Sequence, residues 1–244
     1  MRILARALGI GAVLLSAMSM ALCGVGGSAS AAEPSDMDTV AVEDDSTVRD
    51  ARGAFIHLTA NVLDLLDTRT RLDMLDYYDL ADTVRKVPNA LDGLSWILPP
   101  ANDSYIKVQL TPVSALTIKR LDHKRGHVFA VAYTISGNGT AADSELSFWD
   151  ENLKRIPAAR MIKLANVDNF INLPRRDKSV REDIMDVIPY PMVEYTFSPD
   201  NDTLTARLTV ADYIGIENFR RISPYLHKSL KYIWNGHKYI LHRQ

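Results

Sequence analysis

Cysteine is nearly absent. The one cysteine, Cys23, falls inside an N-terminal segment that reads as a removable leader. A mature chain without it can form no disulfide and run no thiol chemistry. Basic charge is not in excess either: Lys and Arg number 28 against 30 Asp and Glu, a net charge of −2. The leader carries two arginines and no acidic residue, so its loss moves the balance to −4. A mildly acidic chain with no basic stripe is a poor match for nucleic acid and for anionic membrane surfaces. Beyond Val25 no apolar run is long enough to span a bilayer. The chain also lacks a G-x-S-x-G elbow, a P-loop and a G-x-G-x-x-G fingerprint.

Three regions stand out along the chain. Residues 1–31 begin with Arg2 and Arg6, continue through an uncharged apolar stretch, and end at Ala29-Ser30-Ala31. That is a signal-peptide pattern with cleavage between Ala31 and Ala32. A membrane anchor is one rival reading. A lipoprotein attached through Cys23 is another, although Leu22 is bulky where a lipoprotein signal wants a small residue. Residues 32–47 are acidic and small, and too poor in apolar groups to offset their ordering entropy, so they read as a disordered tether. Residues 48–244 read as one domain.

The domain opens with a helical period. Ala51, Phe55, Leu58, Val62 and Leu65 share one face, with Thr47 and Asp50 as a cap. A second helix follows, capped by Thr70 and Asp73, with Met74, Tyr77, Tyr78, Ala81 and Val84 as its apolar arc. Its Asp73, Asp76, Asp79 and Asp82 recur every third residue. That period drifts around an α-helix, and no Gly-containing calcium loop accompanies it, so the four carboxylates read as a solvated face. Pro88 and Gly93 close the helical region.

After Tyr105 the period becomes two. "SYIKVQL" and "ALTIKRL" form a hairpin, "HVFAVAYTI" reads as a strand covered on both faces, and "SELSFWD" begins another strand. The stretch from Pro157 to Pro191 reads as a linker with one short helix at "REDIMDV". "MVEYTF" and "TLTARLTV" form a hairpin across "SPDND". "LKYIWNGHKYIL" predicts a type I′ turn at Asn235-Gly236 that pairs Tyr232 with Tyr239 and Leu230 with Leu241. The two β regions share an outline but negligible identity. The fold class is therefore α+β, with N-terminal helices packed on a largely antiparallel sheet built from hairpins and meanders.

Reactive sets are hard to find. His123 and His127 in "HKRGH" are four apart, but on a hairpin loop and beside Lys124 and Arg125, so they make a poor metal site. His57, His227, His237 and His242 are isolated in sequence. "RRDKSVRED" reads as a solvated charge run. Many carboxylate pairs could serve hydrolysis, and nothing selects one.

The blocks "RLDMLDYY" (71–78), "DGLSWILPPANDSYIKVQLTPVSALTIKRL" (92–121) and "VAYTISGNGTAADSELSFWD" (131–150) carry a resemblance. The chain resembles a family of exported proteins of unknown function, largely confined to Bacteroidales. The resemblance implies a host with an outer membrane and a periplasmic or secreted location, and carries no activity. On the residue arguments above, "RLDM" and "TAADS" suit structural junctions better than chemistry. Bacteria of that type attach O-glycans at Asp followed by Ser or Thr and a small or aliphatic residue. Thr39, Ser46 and Thr203 fit that pattern. Thr83 also fits but lies in the second helix, so modification is expected at Thr39 or Ser46 first and at Thr203 second.

The resulting expectation is an exported envelope protein that binds or assembles with an unknown envelope partner or ligand. It names no catalytic, metal or cofactor residue. The alternative is a hydrolase on glycan or peptide with an unrecognised carboxylate site.

Overall fold

A computed structural model describes residues 48–59, 62–80, 84–137 and 141–242. The expected cleavage site at Ala31 and Ala32, Cys23, the tether, Thr39, Ser46, Asp82 and Thr83 lie outside these residues.

Two helices come first, α1 (Ala51–His57) and α2 (Thr68–Leu80). Seven strands follow: β1 (Val87–Pro88), β2 (Leu94–Asn102), β3 (Tyr105–Thr111), β4 (Ser114–His123), β5 (Gly126–Ser136), β6 (Ala142–Asp150) and β7 (Arg155–Ile156). Three short helices come next, α3 (Ala158–Met161), α4 (Val167–Phe170) and α5 (Lys178–Val187). The hairpin β8 (Val193–Phe197) and β9 (Thr203–Leu208) leads to α6 (Ala211–Ile214) and α7 (Ile216–Ile222). The hairpin β10 (Leu230–Trp234) and β11 (Tyr239–His242) ends the described chain.

The protein is α+β, with two antiparallel sheets rather than one. The first runs β1 to β7 in sequence order, and the second is ordered β11-β10-β9-β8. Strand β5 explains the layering. Its Phe129 and Val131 join a core with Ala51, Ala54, Phe55 and Met74 from the helices. Its Val128, Ala130 and Ala132 join a second core with Tyr195, Phe197, Tyr232 and Trp234 from the four-stranded sheet. Alternate residues of one strand point to opposite faces, so a nearly continuous apolar run is what a covered strand requires. A third, smaller core gathers Val167, Ile171, Ile184, Ile188, Val210 and Ile222 from the short helices and their flanks.

The first helix is shorter than its apolar period suggests. Asp50 supplies the cap, accepting from Gly53 N at 2.6 Å, and Thr47 lies outside the described residues. The helix stops at His57 because its last carbonyls are taken by a guanidinium. Arg71 Nη1 donates to Phe55 O, Ile56 O and Leu58 O at 3.1, 2.9 and 2.8 Å, and its Nε donates to Leu66 O at 2.9 Å. Arg71 is buried, and its desolvation lowers its pKa against the opposing charge of Asp67. The "RLDM" block is thus a helix-end clamp.

The second helix is capped by Asp67, which accepts from Thr70 N at 2.7 Å, and not by Thr70 with Asp73. Its buried stripe is Arg71, Met74 and Leu75, with Tyr78 half-buried. Tyr77 faces outward under the Arg85 guanidinium, 5.0 Å from its ring centre. Asp73 and Asp76 are exposed. Asp79 departs from the solvated-face reading: it holds Arg52 of α1 through two contacts at 3.0 and 2.5 Å.

Strands β1 and β2 fall where the sequence suggested only helix-ending signals. Pro88 and Gly93 do end the helical region, but they also flank a turn in which Asn89 Oδ1 accepts from Leu91 N and Gly93 N, both at 3.0 Å. The C-terminal hairpin keeps its expected faces but not its register. Trp234 pairs with Tyr239 and Tyr232 with Leu241, two residues away from the type I′ pairing. Of the two turn residues, only Gly236 takes positive φ, at 85°. Asn235 instead turns its side chain inward, and Oδ1 accepts from His237 N and Lys238 N at 3.0 and 2.9 Å. An Asx turn replaces the mirror-image turn and lengthens the loop.

The sheets meet at β6 and β8. Asp143 Oδ1 accepts from Val193 N at 3.1 Å, and Ser144 Oγ accepts from Tyr195 N at 3.0 Å. Thr209 Oγ1 bonds both Ala142 N, at 3.1 Å, and Ala142 O. Side chains here do what strand pairing does elsewhere, so the "TAADS" block is a junction between sheets. Lys119, buried in β4, reaches across to the β8–β9 turn, with Nζ 3.6 Å from Asp202.

Candidate binding cleft

A concavity lies away from the acidic helix. It is a cleft of about 530 Å³ between the α4–α5 segment and the open end of the β10–β11 hairpin. Local structure explains its walls. Asn166 caps α4 through a reciprocal pair with Asn169. The chain after α4 is tied to the approach to β10, because His227 N donates to Phe170 O and Asn172 N to Tyr225 O, both at 2.7 Å. Ile171, Leu173, Leu230 and Leu241 supply apolar lining.

The charged lining is Arg175, Arg181 and Lys231 with Asp168 as the one carboxylate, and Asn169, Asn172, His227, Ser229 and His242 add neutral or imidazole polar groups. Arg181 is a wall as well as a charge. Its Nη1 donates to Leu173 O at 2.9 Å, and its Nη2 to Asp168 Oδ1. That pair spends the carboxylate on Arg181. The cleft can therefore attract an anion and cover an adjacent apolar group.

None of Asp73, Asp76 and Asp143 lines this cleft. Thr203 is half-buried at the start of β9, paired with Ile233, with its N–H bonded to Asn201 Oδ1 at 3.0 Å. It belongs to the strand rather than to the "SPDND" turn, and Asp202 before it is held by Lys119. Sequence reading missed the cleft because it took Pro157 to Pro191 as a linker. The available signal was Arg175, Arg176, Lys178 and Arg181 in seven residues ahead of the apolar Ile184 and Ile188.

Elsewhere the titratable groups of the inter-sheet core are tyrosines. Burial pushes Tyr195 up to about 12, and it raises Tyr105, Tyr232 and Tyr239 as well. The Tyr239 hydroxyl has no hydrogen-bond partner among the described residues. Among those residues no three His, Cys, Asp or Glu side chains cluster so as to hold a metal ion. No described helix is long and apolar enough to cross a membrane.

Fold and cleft together define a two-sheet antiparallel α+β protein with an open concavity partly lined by arginine and lysine. The chain belongs to the family described as a protein of unknown function, DUF3256, whose profile matches residues 45–239. It is also similar to the solved structure of a domain of an uncharacterized protein from Porphyromonas gingivalis W83. That likeness has a TM-score of 0.68 and 19% identity, and covers 81% of this chain and 100% of the other. At this identity the likeness speaks for the fold alone. A comparison with curated proteins gave no match.

Proposed function

We propose that the chain is an exported cell-envelope protein that acts by binding, and that its cleft receives an anionic group carried on a partly apolar ligand. The cleft lining carries this reading: Arg175 and Lys231 bring positive charge beside apolar residues, and the one lining carboxylate, Asp168, is already held by Arg181. The hydrolase alternative draws no support there, since a lone paired carboxylate is neither of the two groups that hydrolysis needs. Export rests on the charged start, the apolar run and Ala29-Ser30-Ala31. A Bacteroidales setting is consistent with the Porphyromonas likeness. In such a host Thr39 and Ser46 remain the first candidates for O-glycosylation, ahead of Thr203, whose backbone is committed to β9.

Citrate and inorganic pyrophosphate serve as probes in calorimetric titration of the full chain. Expected is saturable binding to at least one of them, weakened by salt and lost in Arg175→Ala/Lys231→Ala. An Arg160→Ala control away from the cleft should bind normally. No saturable heat with either probe, or unchanged binding in the double variant, would sink the reading. Intact mass and N-terminal sequencing of protein from its native host test export and glycosylation together. A start at Ala32 with added mass is expected, and an intact Met1 or an unmodified mass counts against the respective proposal.

A further inference from the structure

The β4–β5 and β10–β11 hairpins belong to different sheets, yet their tips meet. Trp234 Nε1 donates to Asp122 O at 2.7 Å, and its ring packs edge-on against Tyr239 at 5.3 Å between centres. This lock brings the side chain of His123, the residue after Asp122, to that of His237 in the neighbouring turn. The two imidazoles stand edge to face at 83°, with centres 5.2 Å apart. His123 Nε2 and His237 Nδ1 are 3.4 Å apart.

That separation is informative. It is a long N–H···N hydrogen bond in one tautomer, since heavy atoms more often sit at about 2.7–3.2 Å. It fits two nitrogens sharing one tetrahedral ion, since bonds of about 2.0–2.1 Å place them roughly 3.3–3.4 Å apart. We propose that His123 and His237 form a two-imidazole site for a transition-metal ion that staples the two hairpin tips together. Imidazole pairs suit copper and zinc, and the usual affinity order puts Cu²⁺ first. A metal requires the neutral imidazole, so binding competes with protons. Lys124 also opposes the ion, and no third side-chain ligand joins the pair among the described residues. The remaining positions fall to water, so the ion is exchangeable rather than entombed.

The test uses the full chain without a histidine tag. Trp234 lies 6.5 Å from His123 between ring centres, so Cu²⁺ bound there should quench tryptophan emission. Expected is saturable quenching at one ion per chain, reversed by acid and competed by Zn²⁺. It should vanish in His123→Gln and in His237→Gln, and persist in His57→Gln. Zn²⁺ should raise the melting temperature of the unaltered chain. The electron paramagnetic resonance spectrum of the unaltered Cu²⁺ complex should carry coupling from two imidazole nitrogens, a readout that does not depend on any variant folding. Coupling from one nitrogen or none, quenching that never saturates, or quenching that survives either histidine substitution overturns the site.

Discussion

Arg71 donates to four main-chain carbonyls from a buried position. Removing its guanidinium leaves several of those carbonyls without a donor and a gap beneath α1. Arg71→Leu should therefore cost about 3 kcal/mol or more, because each stranded buried polar group costs roughly 1–3. Arg71→Lys should recover little, since an ammonium lacks the planar fork that reaches Leu66 and Phe55 together. Urea unfolding reads both as a lower midpoint at unchanged slope. Asp79 offers a milder and pH-dependent case. Its hydrogen bond to Arg52, aided by the Arg52 charge and opposed by desolvation, holds its pKa below the usual carboxylate range. A depressed folded pKa stabilises above the unfolded value and loses that contribution as pH falls through the folded one. Both side chains are partly exposed, so Asp79→Asn should cost only about 0.5 kcal/mol at neutral pH. That difference should disappear in acid, and a deficit that persists at low pH would mean that the pair works through packing.

At the scale of elements, the C-terminal hairpin shows how far sequence carries. Its alternation places Tyr232, Trp234 and Tyr239 inward and Lys231 outward, as the structure has them. The register is another matter, because Asn-Gly serves both a mirror-image turn and an Asx turn, and only the side-chain hydrogen bonds of Asn235 distinguish them. Asn235→Ala should cost about 1 kcal/mol through loss of those two bonds. Gly236→Ala should cost a similar amount by forcing a Cβ into positive φ. Thermal melting measures both, and an unchanged Asn235→Ala would argue that the loop is held elsewhere. Strands β3 to β6, β8 and β9 were legible for the same reason of alternation. Strands β1 and β2 were not, because Pro88, Gly93 and the Pro99-Pro100 pair read as breaks. Helices α3, α4, α6 and α7 have four to seven residues, too few for a helical period to declare itself. The cleft depends on those short elements. Its side chains come from three separated stretches, 168–181, 227–231 and 241–242, so no local pattern could announce their convergence. The His123–His237 approach was hidden likewise, since the sequence offered His127 as the nearer partner.

The whole molecule is held by two cores on either side of one sheet, and the inner one is rich in buried phenols. Tyr105, Tyr195, Tyr232 and Tyr239 all have pKa values raised by burial, that of Tyr195 to about 12. A raised folded pKa gives stability that is complete below the ordinary tyrosine value and is lost as pH climbs through the folded one. Stability should therefore hold to about pH 10 and fall steeply beyond it. Phenolate absorbance should lag for these rings and then rise together with unfolding, whereas a gradual titration of every tyrosine near pH 10 would show the core to be open. The strand order has a further consequence for how the molecule is assembled. Every strand of both sheets pairs with its neighbour in sequence. Apart from β9 and β10, which are joined through α6 and α7, paired strands follow one another across short connections, and short closures are cheap in entropy. A chain that emerges end-first, as from a ribosome, adds hairpin to hairpin. Asp143 and Ser144, set in the first sheet and aimed at β8, would then act as the latch that stops the second sheet from drifting once it arrives.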